Sequence, residues 1–371
     1  MRILSVSKIP PGNDAEWWRI HNIYNFLKGK CEIDLVSYII KGTESAKRVD
    51  NGLSSKNTTL DIITPFALPF RHLQNLNVKD YDIVYGNTYA SSFLSLPGKI
   101  RKLPLVTDMH GIPDEEFILL NGSKYHNPFK FFLIKLMNSS VLSFSDKIIC
   151  VSRRMVSYLN SRHNVPTSKM SCITNGVDLN FFNKASLEKI ENLKMKLGFD
   201  DKIVFGYIGG FQKWQGVDTF ITAAKSLAGQ KDIAFLFVGA DGKSTDNIKF
   251  LPPMDRKSLI NYYSVCDVLV LPRPSNIVTE VASPTKFAEY AAMSCPILAT
   301  DVGDAADFIR KYKNGLLVKS NTPADLRKGI LDIIDSETDF KKMSKRSRKL
   351  AEEEFNWNKL CEKLFNELKQ L

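Results

Sequence analysis

The chain has 371 residues, more than one typical α/β core holds, and its 44% hydrophobic and 25% charged content excludes a disordered or fibrous chain. No run of about eighteen apolar residues occurs, and the most apolar stretch, Phe131–Met137, carries Lys135, which argues against a membrane span. The net charge of +11 is uneven: residues 1–184 hold 23 Lys and Arg against 15 Asp and Glu, and residues 185–371 hold 28 against 25. A basic first half suits an anionic partner such as phospholipid headgroups or a polyprenyl phosphate; it equally suits plain solubility charge. Nucleic acid is disfavoured, because no aromatic-and-basic motif accompanies the charge.

Six cysteines (Cys31, Cys150, Cys172, Cys266, Cys295 and Cys361) are scattered, with no Cys-x-x-Cys and no histidine pair nearby. That composition argues against a disulfide framework and a zinc site and reads as reduced thiols filling a core. The first residues, Met1 to Val6, run straight into a strand-like segment with no leader pattern, so the expected location is the cytoplasm.

In chain order, short β-branched apolar runs alternate with helical patterns, the mark of parallel βα units. Strands are expected at 3–7, 33–38, 60–63, 83–86, 105–107, 147–151 and 171–173, with a helix over 17–27 after the first. A linker follows between Thr174 and Gly198. The second half gives strands at 203–207, 234–238, 247–250, 268–271, 297–300 and 316–318, and helices at 218–227, 255–263, 284–293 and 305–312. The tail from Phe340 reads as one or two charged amphipathic helices. Two doubly wound α/β domains facing across a cleft is the expected architecture, with ligands at the carboxyl ends of the strands.

The sharpest candidate site is Glu280 to Pro296. Ser283 suits a helix N-cap and Pro284, which has no N–H, the first helical position, so the free backbone N–H groups of the segment Ser283-Pro284-Thr285-Lys286-Phe287 would face an anion at the positive helix end. Lys286 adds a full charge, and Glu289 lies three residues on, on the same face, where a carboxylate can accept both hydroxyls of a ribose. The competing reading is a capped core helix with a surface Lys286–Glu289 pair.

A second candidate is the loop after strand 203–207, in which Gly209-Gly210 let backbone approach a diphosphate and Lys213 neutralises it; such loops also simply turn corners. In the first half, Gly12 and Asn13 follow the first strand without a Gly-x-Gly-x-x-Gly pattern, so no nicotinamide or flavin fingerprint is present. His110 ends the strand at 105–107, in position to enter a cleft; a structural role is the alternative. Asp114-Glu115-Glu116 read as solvated loop acids rather than a metal site. The stretch 124–147 interleaves Phe129, Phe131, Phe132 and Leu136 with Lys124, Lys130 and Lys135, either an amphipathic helix for an anionic bilayer or one packed on its own sheet.

Several segments in this order resemble the GT4 family of retaining glycosyltransferases. They are Ile173–Asp178 with Phe181 or Phe182, Gly206–Asp218, Phe250-Leu251 through Tyr262-Tyr263, Cys266–Val268, Leu271-Pro272, Lys286–Ala292, Pro296, Thr300–Gly303 and Asn314–Val318. The resemblance implies a GT-B fold: an N-terminal Rossmann-like acceptor domain over 1–180, a donor domain over 181–353, and a C-terminal helix, 354–371, crossing back. It implies that Glu289 binds the nucleotide ribose, that His110 contacts the transferred sugar, and that the backbone at Lys286-Phe287 cradles the diphosphate. The family's first glutamate falls at Val281, with Glu280 one residue out of register, so the branch reads Ser-Pro-x-Lys-x-x-Glu-Tyr. The family's Arg…Lys pair of the glycine loop aligns with Gly210 and Gln215, and Lys213 and Lys286 are the expected replacements.

The expected activity is metal-independent, retaining transfer from a nucleotide sugar, UDP before GDP, to a glycan or lipid-linked acceptor in cell-surface polysaccharide synthesis. No cofactor is expected. Peripheral contact with the inner face of the membrane stays open, as do a catalytically silent subunit and a nucleotide-sugar epimerase.

Overall fold

A computed structural model describes residues 1–8, 15–40, 60–62, 80–100, 102–335 and 339–371. The chain divides into two units, Met1–Thr174 with Trp357–Leu371, and Asn175–Asn356.

The first unit is built on a parallel sheet ordered β3-β2-β1-β4-β5-β6-β7. Its strands are β1 Arg2–Lys8, β2 Glu32–Ile40, β3 Leu60–Ile62, β4 Ile83–Gly86, β5 Leu105–Met109, β6 Lys147–Cys150 and β7 Met170–Cys172. Strands β4 and β5 are buried along their whole length, as strands of a parallel sheet covered on both faces are, and β5 carries Asp108 within it. The tail helix Trp357–Leu368 belongs here: Cys361, Leu364 and Leu368 join Ile3, Leu27 and Ile173 in one core, and Lys147 pairs with Glu367 at 2.7 Å.

The second unit has a parallel sheet ordered β10-β9-β8-β11-β12-β13. These are β8 Ile203–Ile208, β9 Ile233–Val238, β10 Ile248–Leu251, β11 Val268–Leu271, β12 Ile297–Thr300 and β13 Gly315–Val318. One face packs Phe205, Phe220, Phe235 and Phe237; the other packs Val204, Leu269, Phe287, Tyr290 and Ala291. Each fully buried side chain of this size contributes about 1.5–3 kcal/mol of transfer free energy. The order of the sheet reverses between β8 and β11, so a crevice opens at their carboxyl ends.

The strands of the described residues coincide with the runs read from sequence to within about two residues, the usual uncertainty of element ends. Two expectations fail. The stretch expected as linker contains a helix, Leu187–Leu197, with Leu193 and Leu197 packed on the second core. Asp114, Glu115 and Glu116 are not loop acids but the first turn of the helix Pro113–Asn121, where negative charge meets the positive helix end. Asp114 is buried, and Glu115 accepts a hydrogen bond from the Tyr158 hydroxyl at 3.1 Å.

Candidate functional site

The helix Thr285–Ala292 starts beside the carboxyl ends of β8 and β11. Its cap position is Pro284, with no side-chain capping bond. Ser283, expected as the cap, instead accepts the Asn175 amide on its Oγ at 3.3 Å, while Asn175 Nδ2 donates to the Ser283 carbonyl at 2.8 Å. The Phe287 N–H is taken by the Pro284 carbonyl at 3.0 Å, and its ring stacks on Phe308 and meets Phe355 edge to face. Phe287 is therefore core, and the first-turn amides that can meet an anion are those of Thr285 and Lys286.

Lys286 reaches back across the glycine loop. Its ammonium lies 5.7 Å from the centre of the Tyr207 ring, and its Cε stands where a Cβ on Gly209 would be, at 2.0 Å. Gly209 has φ +138°, so both its backbone and its missing side chain are needed for the lysine to lie there. The Tyr207 hydroxyl donates to the Gly210 carbonyl at 2.7 Å and fixes the loop. Burial lowers the Lys286 ammonium to about 8; the Glu289 charge opposes this and Arg273 adds to it. Among the described residues Lys286 has no ion-pair partner within 4 Å. The surface Lys286–Glu289 pair does not form.

Glu289 is held by two donors: Arg256 Nη2 at 3.1 Å and the Tyr263 hydroxyl at 2.8 Å. Arg256 itself lies over the Phe182 ring at 4.9 Å. A carboxylate has about four acceptor positions, so two remain for ligand hydroxyls. Glu280 has a structural task. Its Oε1 accepts Ser275 Oγ at 2.8 Å and its Oε2 accepts the Gly303 N–H at 2.9 Å, at the start of the helix Gly303–Tyr312. Lys213 is exposed, on the short 3-10 turn Lys213–Gln215.

Sequence reasoning missed Arg273. It follows β11, is 6% exposed, and sits beside Pro284, Thr279 and Thr300 around a narrow cavity. Within the motif Leu-Pro-Arg-Pro it looks like a loop arginine, and no local pattern marks its burial.

In the first unit His110 follows β5, with its side chain 21% exposed. Its Nε2 lies 3.5 Å from Asp108 Oδ2, within ion-pair reach and too loose for a hydrogen bond. Asp108, buried in β5, accepts Arg19 Nε and Nη2, each at 2.9 Å, and the Tyr85 hydroxyl at 2.8 Å. Burial alone would raise Asp108, but Arg19 and His110 outweigh it and hold the carboxyl well below the usual range. This is a carboxylate kept ionised inside the sheet, with His110 at its edge. Gly12 and Asn13 lie outside the described residues.

Two family models match consecutive stretches of the chain: Glycosyltransferase Family 4 over residues 19–181 and Glycosyl transferases group 1 over residues 189–350. An uncharacterized glycosyltransferase of Methanocaldococcus jannaschii is 24% identical over 308 residues, 78% of this chain and 75% of its own length. The D-inositol 3-phosphate glycosyltransferase of Mycolicibacterium smegmatis is 25% identical over 276 residues, 69% of this chain and 60% of its own. Among solved structures, HepE of Anabaena in complex with UDP is similar with a TM-score of 0.76 at 16% identity, covering 100% of both chains. At that identity the likeness establishes the fold, two parallel α/β units of the GT-B type. Matched in both halves and sharing this fold, the chain belongs to the GT4-type glycosyltransferases.

Proposed function

We propose that this glycosyltransferase takes a sugar from a nucleotide diphosphate donor, UDP rather than GDP, and transfers it with retention to a hydroxyl of a glycan or lipid-linked acceptor. The observation that carries the reading is Lys286: an ammonium drawn inward over Tyr207, beside the first-turn amides of a helix, without a carboxylate partner among the described residues. A half-buried cation of this kind is completed by an anion, and Glu289 stands one helical turn away to take ribose hydroxyls.

In this reading Lys286 and the Thr285 and Lys286 amides stabilise the negative charge that grows on the diphosphate as its bond to the anomeric carbon breaks. The acceptor oxygen bonds to that carbon from the face the leaving group departs, and its proton passes to the departing phosphate oxygen. No protein base and no metal are assigned a step. His110 is assigned to the transferred sugar, and Lys213 to the outer edge of the diphosphate. The UDP bound in the Anabaena relative supports uridine as the first nucleotide to try.

Cell-surface polysaccharide synthesis would bring this enzyme to the inner face of a membrane. No helix among the described residues is long and apolar enough to cross one. Peripheral contact is supported by the helix Pro128–Phe144, which exposes Phe129, Phe132 and Leu136 alongside Lys130 and Lys135.

The test is donor turnover over a panel of nucleotide sugars, with Lys286→Ala as control. Removing one such transition-state donor is expected to cut turnover by about 10²–10³. Near wild-type turnover in the variant would overturn the site. Epimerised donor without acceptor would favour the epimerase, and nucleotide binding without any turnover the silent subunit.

A further inference from the structure

Beside the half-buried Lys286, the second unit holds a buried cation. Arg273 is 6% exposed, and its Nε is shielded from solvent with no hydrogen-bond partner. Its backbone is fixed, because the Thr300 hydroxyl donates to its carbonyl at 2.6 Å. Its charge is felt by Lys286. The carboxylates flanking this segment are engaged elsewhere: Glu280 with Ser275 and Gly303, Glu289 with Arg256 and Tyr263. Among the described residues no hydrogen bond or ion pair satisfies the guanidinium.

Two inward cations that repel each other and lack a counter-ion are a poor way to stabilise a fold. They make sense as a receptor. A guanidinium offers donors in a planar fork that matches two phosphate oxygens, and a lysine supplies a compact charge beside it. The glycine loop supplies neither at the positions where the family carries its pair, which here are Gly210 and Gln215. The narrow cavity beside Arg273 is also lined by Pro284, the cap position of the helix that carries Lys286.

We propose that Arg273, at the end of β11, is a phosphate-binding residue for the donor diphosphate and, with Lys286, replaces the cation pair missing from the glycine loop. The proposal rests on the nucleotide-sugar reading above. It demotes Lys213, exposed on its 3-10 turn, to an accessory place.

The test is calorimetric titration of the full chain with UDP, GDP and ADP, followed by saturation-transfer NMR with the nucleoside of whichever binds tightest. Arg273→Met, apolar and of similar length, should weaken diphosphate binding by about ten- to hundredfold, as expected for a lost charge-assisted bond. It should leave the nucleoside unaffected and leave the melting temperature of the free protein equal or higher, since an unpaired buried charge is gone. Arg273→Lys should recover part of the loss. A merely structural arginine would show the reverse: a lower melting temperature and equal losses for nucleotide and nucleoside. Should Arg273→Met not fold, the arginine is structural and the proposal falls. If Arg273→Met binds diphosphate like the wild type while Lys286→Ala does not, the proposal fails and the nucleotide-sugar reading stands. If the wild type binds none of the three nucleotides, both fail.

Discussion

Raising the pH should release the donor, because the cation that holds it titrates early. Burial brings the Lys286 ammonium from its ordinary 10.5 down to about 8 in the free protein, whereas a bound diphosphate favours the charged form and pushes it back up. Binding therefore takes up a proton wherever free Lys286 is neutral. With one such group, the charged fraction falls from roughly nine-tenths at pH 7 to half near pH 8 and about a tenth at pH 9, so affinity for UDP drops about tenfold between pH 7 and 9. Titration calorimetry in two buffers of different ionisation enthalpy reads the coupled proton directly: about half a proton per UDP at pH 8 and nearly one at pH 9. Between pH 7 and 9 few other groups nearby confuse the signal: burial pushes the Tyr207 hydroxyl and the Cys266 thiol upward and out of this range, and the Arg273 guanidinium, which burial lowers to about 10, titrates above it. Folding stability moves the opposite way. The depressed lysine binds fewer protons folded than unfolded between about 8 and 10.5, so its contribution to stability rises with pH across that window. Lys286→Arg should flatten the affinity profile, because a guanidinium stays charged. Constant affinity from pH 7 to 9.5 with no proton uptake would refute the reasoning.

Other residues give separate tests. Gly209→Ala should lower donor affinity more than it lowers the melting temperature, because the new Cβ falls 2.0 Å from Lys286 Cε at a φ that L residues avoid; unchanged UDP binding in titration would contradict this. Glu289→Gln should erase most of the preference for UDP over 2′-deoxy-UDP, measured as a ratio of inhibition constants. In the first unit, Arg19→Leu strands the Asp108 carboxylate in the sheet and should cost about 3–5 kcal/mol in urea unfolding; Asp108→Asn strands the equally buried Arg19 guanidinium and should cost about as much. Phe132→Ser together with Leu136→Ser should abolish flotation with phosphatidylglycerol vesicles and leave soluble-donor hydrolysis unchanged; equal flotation would remove the membrane contact.

The sheets were legible because their strands are buried on both faces. Runs such as Val268–Leu271 and Ile297–Ala299 are apolar throughout, and in a βα alternation that pattern has few other readings. The helix Leu187–Leu197 was lost to a linker because none of its residues is fully buried, so its apolar face is thin beside its lysines and glutamates. At the site, Lys286 and Glu289 were readable from a three-residue spacing on one helix face. Ser283 misled for a physical reason: cap preference is local, whereas its actual partner, Asn175, lies 108 residues away. Arg273 and the Arg19–Asp108–Tyr85 cluster share the same obscurity. Each depends on burial and on partners, present or missing, that only tertiary structure creates.

The central claim is that the start of the helix Thr285–Ala292 holds a nucleotide diphosphate through Lys286. Titrating the wild-type chain and Lys286→Ala with UDP at pH 7, under matched folding shown by circular dichroism, tests it most directly. The wild type should bind saturably and one to one, and the variant should lose about tenfold or more in affinity. Equal binding by the two proteins would contradict it.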